Sequence, residues 1–509
     1  MKTLRLILGD QLNHNHSWFK EVDANVTYTM MELGQELTYT THHIQKVVAY
    51  FLSMRCFLDD KRKEGHHFDY FELDQENNSQ DLCLNLKQLI DEGGFQKLEY
   101  QLPDEYRLDQ QLTGLCKALN IGSEAFDSEH FLASREEVSE HFKGKKTLVM
   151  ESFYRMMRKK HEILMDGINP VGGKWNYDSE NRKKLPKNTF VPSPYLFENE
   201  SKEIVSLLEK QKIKTIGQIG DHLLWPINRA QSTELFEAFL KTFFPNFGEF
   251  QDALSENDWS LFHSRISFAL NTKLLSPKEI IDKTEAFYFQ HEDEIPLSSV
   301  EGFIRQILGW REFMRGVYWK QMPEYANLNY FDHQRKLPDW FWTGETKMKC
   351  MSHTIKQSLN YAYAHHIQRL MITGNFALMA GINPDEVDHW YLGIYIDAIE
   401  WVEITNTRGM SQYADGGIVA TKPYVASANY IHKMGHYCGN CSYNKLEKTG
   451  KNACPFNSLY WNFIDSNRSK LQNNPRMGMM YKVWDKNSTS TKNQILEQAD
   501  TYLKQIEEL

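Results

Sequence analysis

The run Lys2-Thr3-Leu4-Arg5-Leu6-Ile7-Leu8 ends in Gly9-Asp10-Gln11, and that ending decides how the first quarter of the chain folds. A short apolar run closed by glycine and polar residues reads as a strand. It is too short for a secretory core and ends in an acid rather than in small residues. Val26–Met31, Phe68–Leu73 and Leu98–Leu102 repeat the apolar or β-branched pattern, and residues 42–58, 80–91 and 108–119 between them carry helical periodicity. Such alternation predicts a parallel, Rossmann-like sheet with helices on both faces over residues 1–130. Ligands of such sheets sit at the carboxyl ends of strands, which places Gly9, Asp10 and Gln11 beside a crevice. The Gly-x-Gly-x-x-Gly dinucleotide fingerprint is absent.

Further along, Met150–Met165 reads as a basic helix with Arg155, Arg158, Lys159 and Lys160. The Gly- and Pro-rich stretch Asn169–Tyr177 with Arg182, Lys183 and Lys184 marks 131–200 as a connector. Strand signals then fade, and 201–509 reads as an all-α domain holding ten of the twelve tryptophans. The 509 residues allow two to four domains at ~100–200 residues each. Apolar residues at 41% and charged ones at 25% describe a globular chain. The longest apolar stretches, such as Leu370–Ile382, fall short of the ~20 residues a membrane helix needs. The expectation is a cytoplasmic, monomeric protein.

Charge is unevenly spread. The net value is 58 − 67 = −9, and residues 59–140 alone carry 20 acids against 8 bases. Residues 143–160 hold seven bases and one acid, and 422–486 ten bases and three acids. Concentrated bases on an acidic chain suit phosphate recognition, because the local field decides.

Cys438-Gly439-Asn440-Cys441 is followed by Cys454-Pro455. Thiolates two residues apart on a turn can face one soft ion or cluster, and Cys350 is the remaining cysteine of the helical half. Spacing alone leaves zinc, an iron–sulfur cluster and free thiols open. Cys56, Cys83 and Cys116 read as small buried hydrophobes.

Three further segments carry chemistry. His263-Ser264-Arg265-Ile266-Ser267 places hydroxyls and a guanidinium at a helix start, which suits a phosphate. Glu301–Phe313 interleaves Arg and Glu with aromatic residues. Ser358–Ile382 reads as one long helix continuing into Trp390–Gly417, with His365, His366 and Arg369 able to share a face. Adjacent histidines beside an arginine suit proton transfer.

Together these segments and the four ordered cysteines resemble the cryptochrome/photolyase family, and within it the bacterial iron–sulfur branch of (6-4) photolyases, along the whole chain. The resemblance implies an N-terminal antenna domain and a helical domain holding FAD. By the same resemblance Ser264, Arg265 and Ser267 bind its phosphates, and Gln306 and Arg311 line it. Arg369 with Asp397 forms the ion pair beside the ring system, which Asn406 faces. Ile404-Thr405 precede Asn406 where a proline is expected. The resemblance further implies that Cys350, Cys438, Cys441 and Cys454 ligate a [4Fe–4S] cluster. Trp342, Trp390 and Tyr391 would relay electrons, and Gly9, Asp10, Gln11 and Glu36 would hold 6,7-dimethyl-8-ribityllumazine.

Cyclobutane-specific relatives carry Asn where this chain has His366. A (6-4) lesion must return a hydroxyl as well as accept an electron, and protonation makes that hydroxyl a leaving group. A histidine near its ordinary pKa of ~6.5 can give and retake the proton. His366 is the expected donor and His365 its partner. UV-damaged DNA would flip its lesion into a pocket lined by Leu370, Met410 and Tyr424. Lys174, Arg182, Lys183, Lys184 and the 422–486 stretch would hold its phosphates. Two other readings are a cryptochrome photoreceptor without repair and an iron–sulfur nucleic-acid-binding protein without flavin.

Overall fold

The structure is a computed structural model that describes residues 1–145 and 147–509. Five strands, β1 (Thr3–Leu6), β2 (Val26–Met31), β3 (Phe68–Phe71), β4 (Lys97–Gln101) and β5 (Gly122–Phe126), form one parallel sheet in the order β3-β2-β1-β4-β5. Leu4 pairs with Thr27 on one side and Leu98 on the other. The order reverses at β1, so the crevice of this sheet opens at the end of β1, where Gly9, Asp10 and Gln11 lie.

Alternation along the strands divides the two faces. Leu4, Leu6, Leu98 and Tyr100 pack with Leu82, Leu86, Leu112 and Leu115 from the helices Leu82–Gly93 and Tyr106–Ala118. Asp81 caps the first of these by accepting from the Leu84 N–H, and Gly94 ends it in the left-handed region at φ 61°. On the other face Val26, Tyr28 and Met30 join the helix Ile44–Lys63 and the main core, which continues through the helical region. Strand β5 lies at the edge and is largely exposed.

In the C-terminal region π-helical stretches interrupt the helical rods, at Phe239–Phe243 and at three places that carry expected site residues. Arg305–Arg311 lies between Leu297–Ile304 and Glu312–Gln321, Arg369–Gly374 between His366–Gln368 and Asn375–Ala380, and Thr405–Ser411 follows Glu400–Ile404. A π-turn inserts one residue and rotates the side chains beyond it, and such turns recur at functional sites. Here they carry Gln306 and Arg311, Arg369, and Asn406. Asn406 therefore sits in a helix, where Ile404-Thr405 continue a hydrogen-bonded rod that proline would break.

The long helix read from Ser358 to Ile382 is broken. Lys349–Tyr361 ends with Ala362 in the left-handed region (φ 52°), and the chain stays extended to His365. The Gln368 side chain accepts from the His365 N–H at 3.1 Å and restarts the helix. Gln357 spans the gap, donating to the Tyr363 carbonyl at 3.1 Å and to Gln368 at 3.0 Å. The basic helix also ends early, at His161 rather than 165, where Glu162 turns left-handed. No helix is long and apolar enough to cross a membrane among the described residues.

Candidate active site

Arg369 and Asp397, paired by the family resemblance, meet at 3.0 Å. Asp397 also accepts from the Ser267 hydroxyl at 2.7 Å, and Asn271 donates to its carbonyl at 2.7 Å. Arg369 donates to the Ala364 carbonyl at 2.6 Å, and its guanidinium stacks 3.8 Å above Tyr395. Nothing in the sequence distinguishes Tyr395 from the other 24 of its 25 tyrosines.

Arg265 is buried at φ +55°, with its guanidinium between Trp225 (5.7 Å) and Trp259 (5.1 Å). It donates to the Tyr195 carbonyl, and no carboxylate pairs with it among the described residues. Burial pulls its pKa down to about 10, the signature of a cation lacking its anion. Ser264 is half-buried beside it. Arg311 is also buried, meets His130 at 3.0 Å and the Leu270 carbonyl at 3.3 Å, and lies 3.6 Å from the Glu312 carboxylate, while Nε and Nη1 make no hydrogen bond among the described residues. Gln306 is exposed on the same π-stretch. Asn406 donates to the Val402 carbonyl at 2.7 Å, which leaves its oxygen free.

The two histidines differ sharply. His365 is buried, and neither ring nitrogen makes a hydrogen bond among the described residues. Its ring stacks on His263 at 4.8 Å with an interplanar angle of 17°. His366 is exposed, yet the surrounding protein disfavours its charge and lowers its pKa to about 4, burial first and Arg369 second. Both facts fit a ring on the wall of a concavity. Burial, His263, His366 and Arg369 hold His365 well below the ordinary range. His263, to which the sequence assigns no role, is lowered to about 4 by burial and His366.

Tyr391 donates to the Arg369 carbonyl at 2.6 Å and packs 5.3 Å from Trp390. Phe341 stands edge-on to Trp390 at 5.2 Å, and the next residue, Trp342, is 41% exposed. Phe341, Trp390 and Tyr391 form a connected row of rings, and no aromatic contact joins Trp342 to it among the described residues. Leu370 and Met410 are buried, and Tyr424 is half-buried near Arg182.

The four cysteines converge. Cys350 opens the helix Lys349–Tyr361, Cys438 lies in the turn Tyr437–Asn440 with Cys441 after it, and Cys454 caps Pro455–Ser466. All four line one pocket with Met348, Ile431, Tyr437, Tyr443 and Phe456. Burial and the other three sulfurs push the Cys350 thiol up, and burial raises Cys454 to about 12. Among the described residues no group of three or more His, Cys, Asp or Glu is placed to hold a single metal ion.

In the sheet crevice Lys273 donates to the Asp10 carboxylate and carbonyl, both at 2.9 Å, and meets Asp104 at 2.9 Å. Gln11 accepts from the Leu8 N–H at 3.0 Å and donates to the Gln101 carbonyl at 3.2 Å, tying β1 to β4. A Cβ on Gly9 would stand 3.1 Å from the Met54 sulfur. Glu36 takes two bonds from Arg107, at 3.0 and 2.7 Å. Arg107 also pairs with Glu105, whose pKa burial raises to about 8.

The connector bases are mostly paired. Arg182 meets Asp178, Lys183 meets Glu249 at 2.8 Å, and Lys174 approaches Glu180 at 3.8 Å. Lys184 instead donates to the His432 carbonyl at 3.1 Å, near Lys187 and Lys445. Sequence counts charges and does not see their partners.

This combination is a five-stranded parallel sheet region followed by a helical region that holds the buried Arg265 and Arg311 and the Arg369–Asp397 pair. The chain is 40% identical over 510 residues to the (6-4) photolyase of Agrobacterium fabrum (strain C58 / ATCC 33970), covering 100% of both chains. It belongs to the cryptochrome/photolyase family. The family profile described as "Deoxyribodipyrimidine photo-lyase-related protein" matches residues 5–224. Among solved structures, a bacterial class III photolyase from Agrobacterium tumefaciens superposes with a TM-score of 0.58 at 16% identity, covering 83% of this chain and 81% of that one. The Synechocystis sp. PCC6803 cryptochrome gives 0.56 at 11% identity, covering 97% and 93%. At those identities the two structures establish the fold.

Proposed function

We propose that this chain is a light-dependent (6-4) photolyase that binds UV-damaged DNA. The end-to-end likeness to a (6-4) photolyase supports the class. The observation that carries the lesion type is the His365-His366 pair at the helix restart, one ring buried with neither nitrogen hydrogen-bonded among the described residues and the other open to solvent.

The residues present fit FAD. Among the described residues Arg265 is a buried cation without a carboxylate, two Arg311 nitrogens make no hydrogen bond, and Asn406 keeps a free oxygen. Arg265 with Ser264 would hold the diphosphate. Arg369, fixed by Asp397 and Tyr395, would face the ring system with Gln306 and Asn406. Ser267, whose hydroxyl donates to Asp397, would complete the phosphate-binding stretch. When bound and reduced, FAD would supply on illumination the electron that opens the lesion and would take it back once the two bases are restored.

The remaining steps belong to side chains. Leu370, Met410 and Tyr424 shape the pocket that receives the flipped bases. His366 donates a proton from its ring to the lesion hydroxyl, which leaves its ring carbon, returns to its original base, and releases the proton to the same nitrogen. Near pH 7 the free ring is neutral, so it takes up that proton as the lesion phosphates approach. His365, held neutral by its surroundings, keeps charge off the neighbouring position. Trp342, Trp390 and Tyr391 would relay electrons inward.

The cysteine pocket fits a [4Fe–4S] cluster. Four thiols in one apolar pocket ionise only against a strong cation, and a four-iron cube accepts thiolates set wider than one zinc ion does. Gly9, Asp10, Gln11 and Glu36 border the proposed lumazine site, with Glu36 aligned by Arg107. Lys184 and the bases of 422–486 are the proposed DNA phosphate contacts.

The test is illumination of the reduced holoprotein with a (6-4) oligonucleotide. Restored thymines in the light and none in the dark are expected. A flavin-loaded protein that leaves the lesion intact would favour the photoreceptor reading.

A further inference from the structure

A helix leaves its last carbonyls without partners, at the negative end of its dipole. Lys349–Tyr361 leaves Leu359 and Asn360 so placed, and Pro384–Ile394 leaves Leu392 and Gly393. All four carbonyls are met by the entry to Ile44–Lys63, a helix of the sheet domain. The Lys46 ammonium donates to Leu392 at 2.8 Å and to Ala398 at 2.7 Å. Gln45 donates to Asn360 and Gln218, both at 2.6 Å. The His43 N–H donates to Gly393 at 2.9 Å. The His43 Nδ1 accepts from the Gln45 N–H at 3.1 Å, so its other nitrogen carries the proton and donates to Leu359 at 2.8 Å.

The fit leaves no slack. A Cβ on Gly393 would stand 2.3 Å from the Thr41 carbonyl, and one on Gly217 would stand 1.9 Å from His43. His43, Gln45 and Lys46 are all buried.

Both capped helices run directly into the candidate active site. Lys349–Tyr361 leads into the extended link that carries His365 and His366. Pro384–Ile394 leads to Asp397, and Ala398 is bonded to it in sequence. We propose that Lys46, with His43 and Gln45, is a positioning residue of the sheet domain that fixes the backbone under Asp397 and the two histidines. The same stretch of chain carries Glu36 a few residues earlier. One short segment therefore joins the sheet crevice to the Arg369–Asp397 site. The functional weight of this clamp rests on the proposed flavin site, whereas its backbone effect does not.

The experiment uses the full-length protein as purified, in three variants. Lys46→Met removes both caps on Leu392 and Ala398, Lys46→Gln keeps N–H donors there, and Gln45→Leu removes the caps on Asn360 and Gln218. Hydrogen exchange by mass spectrometry and the visible circular dichroism of bound flavin are read together. Lys46→Met should speed exchange across 392–398 at least tenfold, leave β1 and β4 unchanged, and alter the flavin dichroism. Lys46→Gln should recover most of both. Gln45→Leu should speed exchange across 359–366 and around Gln218 but not across 392–398, and it keeps the test open if Lys46→Met does not fold. Exchange in all variants that is unchanged, or faster everywhere alike, would overturn the clamp. Local loosening without any flavin in the wild-type protein would sink the flavin reading and leave the clamp standing.

Discussion

Replacing His366 with alanine separates chemistry from stability. The side chain is exposed at the start of His366–Gln368 and makes no hydrogen bond among the described residues. Its removal should therefore change folding stability by no more than about 0.5 kcal/mol. Loss of a positioned general acid costs about 10²–10⁴-fold, or about 2.7–5.4 kcal/mol at 1.36 kcal/mol per decade. The pH dependence follows from the depressed pKa. With the free ring near 4, about one protein in a thousand carries the proton at pH 7. The donor must be charged on the lesion, so binding takes up a proton, and affinity rises as pH falls from 8 toward 5. Flash-driven repair of a (6-4) duplex measures the first effect. Binding calorimetry in buffers of different ionisation enthalpy measures the second. Repair within threefold of wild type, or binding without proton uptake, would refute the proton-donor role.

Binding of damaged duplex should weaken with salt despite the net −9. Lys184→Ala should lower the slope of log affinity against log salt by about one contact, whereas Arg182→Ala should change it less, because Arg182 is already paired with Asp178. Cys350→Ser should abolish the cluster and much of the folded yield, read as iron and acid-labile sulfide per chain, because ligand bonds act as folding energy. One zinc and no sulfide in the wild-type protein would contradict that assignment. Glu36→Gln should break the charged pair with Arg107 and empty the antenna site while FAD stays bound, seen by releasing and quantifying both chromophores.

The sheet was readable where strands are buried. The strands β1, β2 and β4 are mostly buried and β3 buries Phe68 and Phe71, whereas β5 reads Gly122-Ser123-Glu124-Ala125-Phe126, an exposed edge without an apolar run. The cysteines were readable because their type and spacing stand out in the sequence, and Cys438, Cys441, Cys454 and Cys350 meet in one pocket. The break at Ala362 was not, since no Gly or Pro marks it and the link is held by Gln357 and Gln368 from neighbouring turns. The π-turns that present Gln306, Arg369 and Asn406 have no pattern of their own. The roles of Ser267 and Lys46 depend on partners about 130 and 350 residues away.

Coupling of light-driven electron transfer to proton donation from His366 on a (6-4) lesion has one most direct test. It counts thymines restored per absorbed photon by the reduced wild-type protein on matched duplexes, one carrying a (6-4) lesion and one a cyclobutane dimer. Repair of the (6-4) duplex in light, none in the dark and little on the cyclobutane duplex is the predicted result. Efficient cyclobutane repair with the (6-4) lesion untouched would contradict the account.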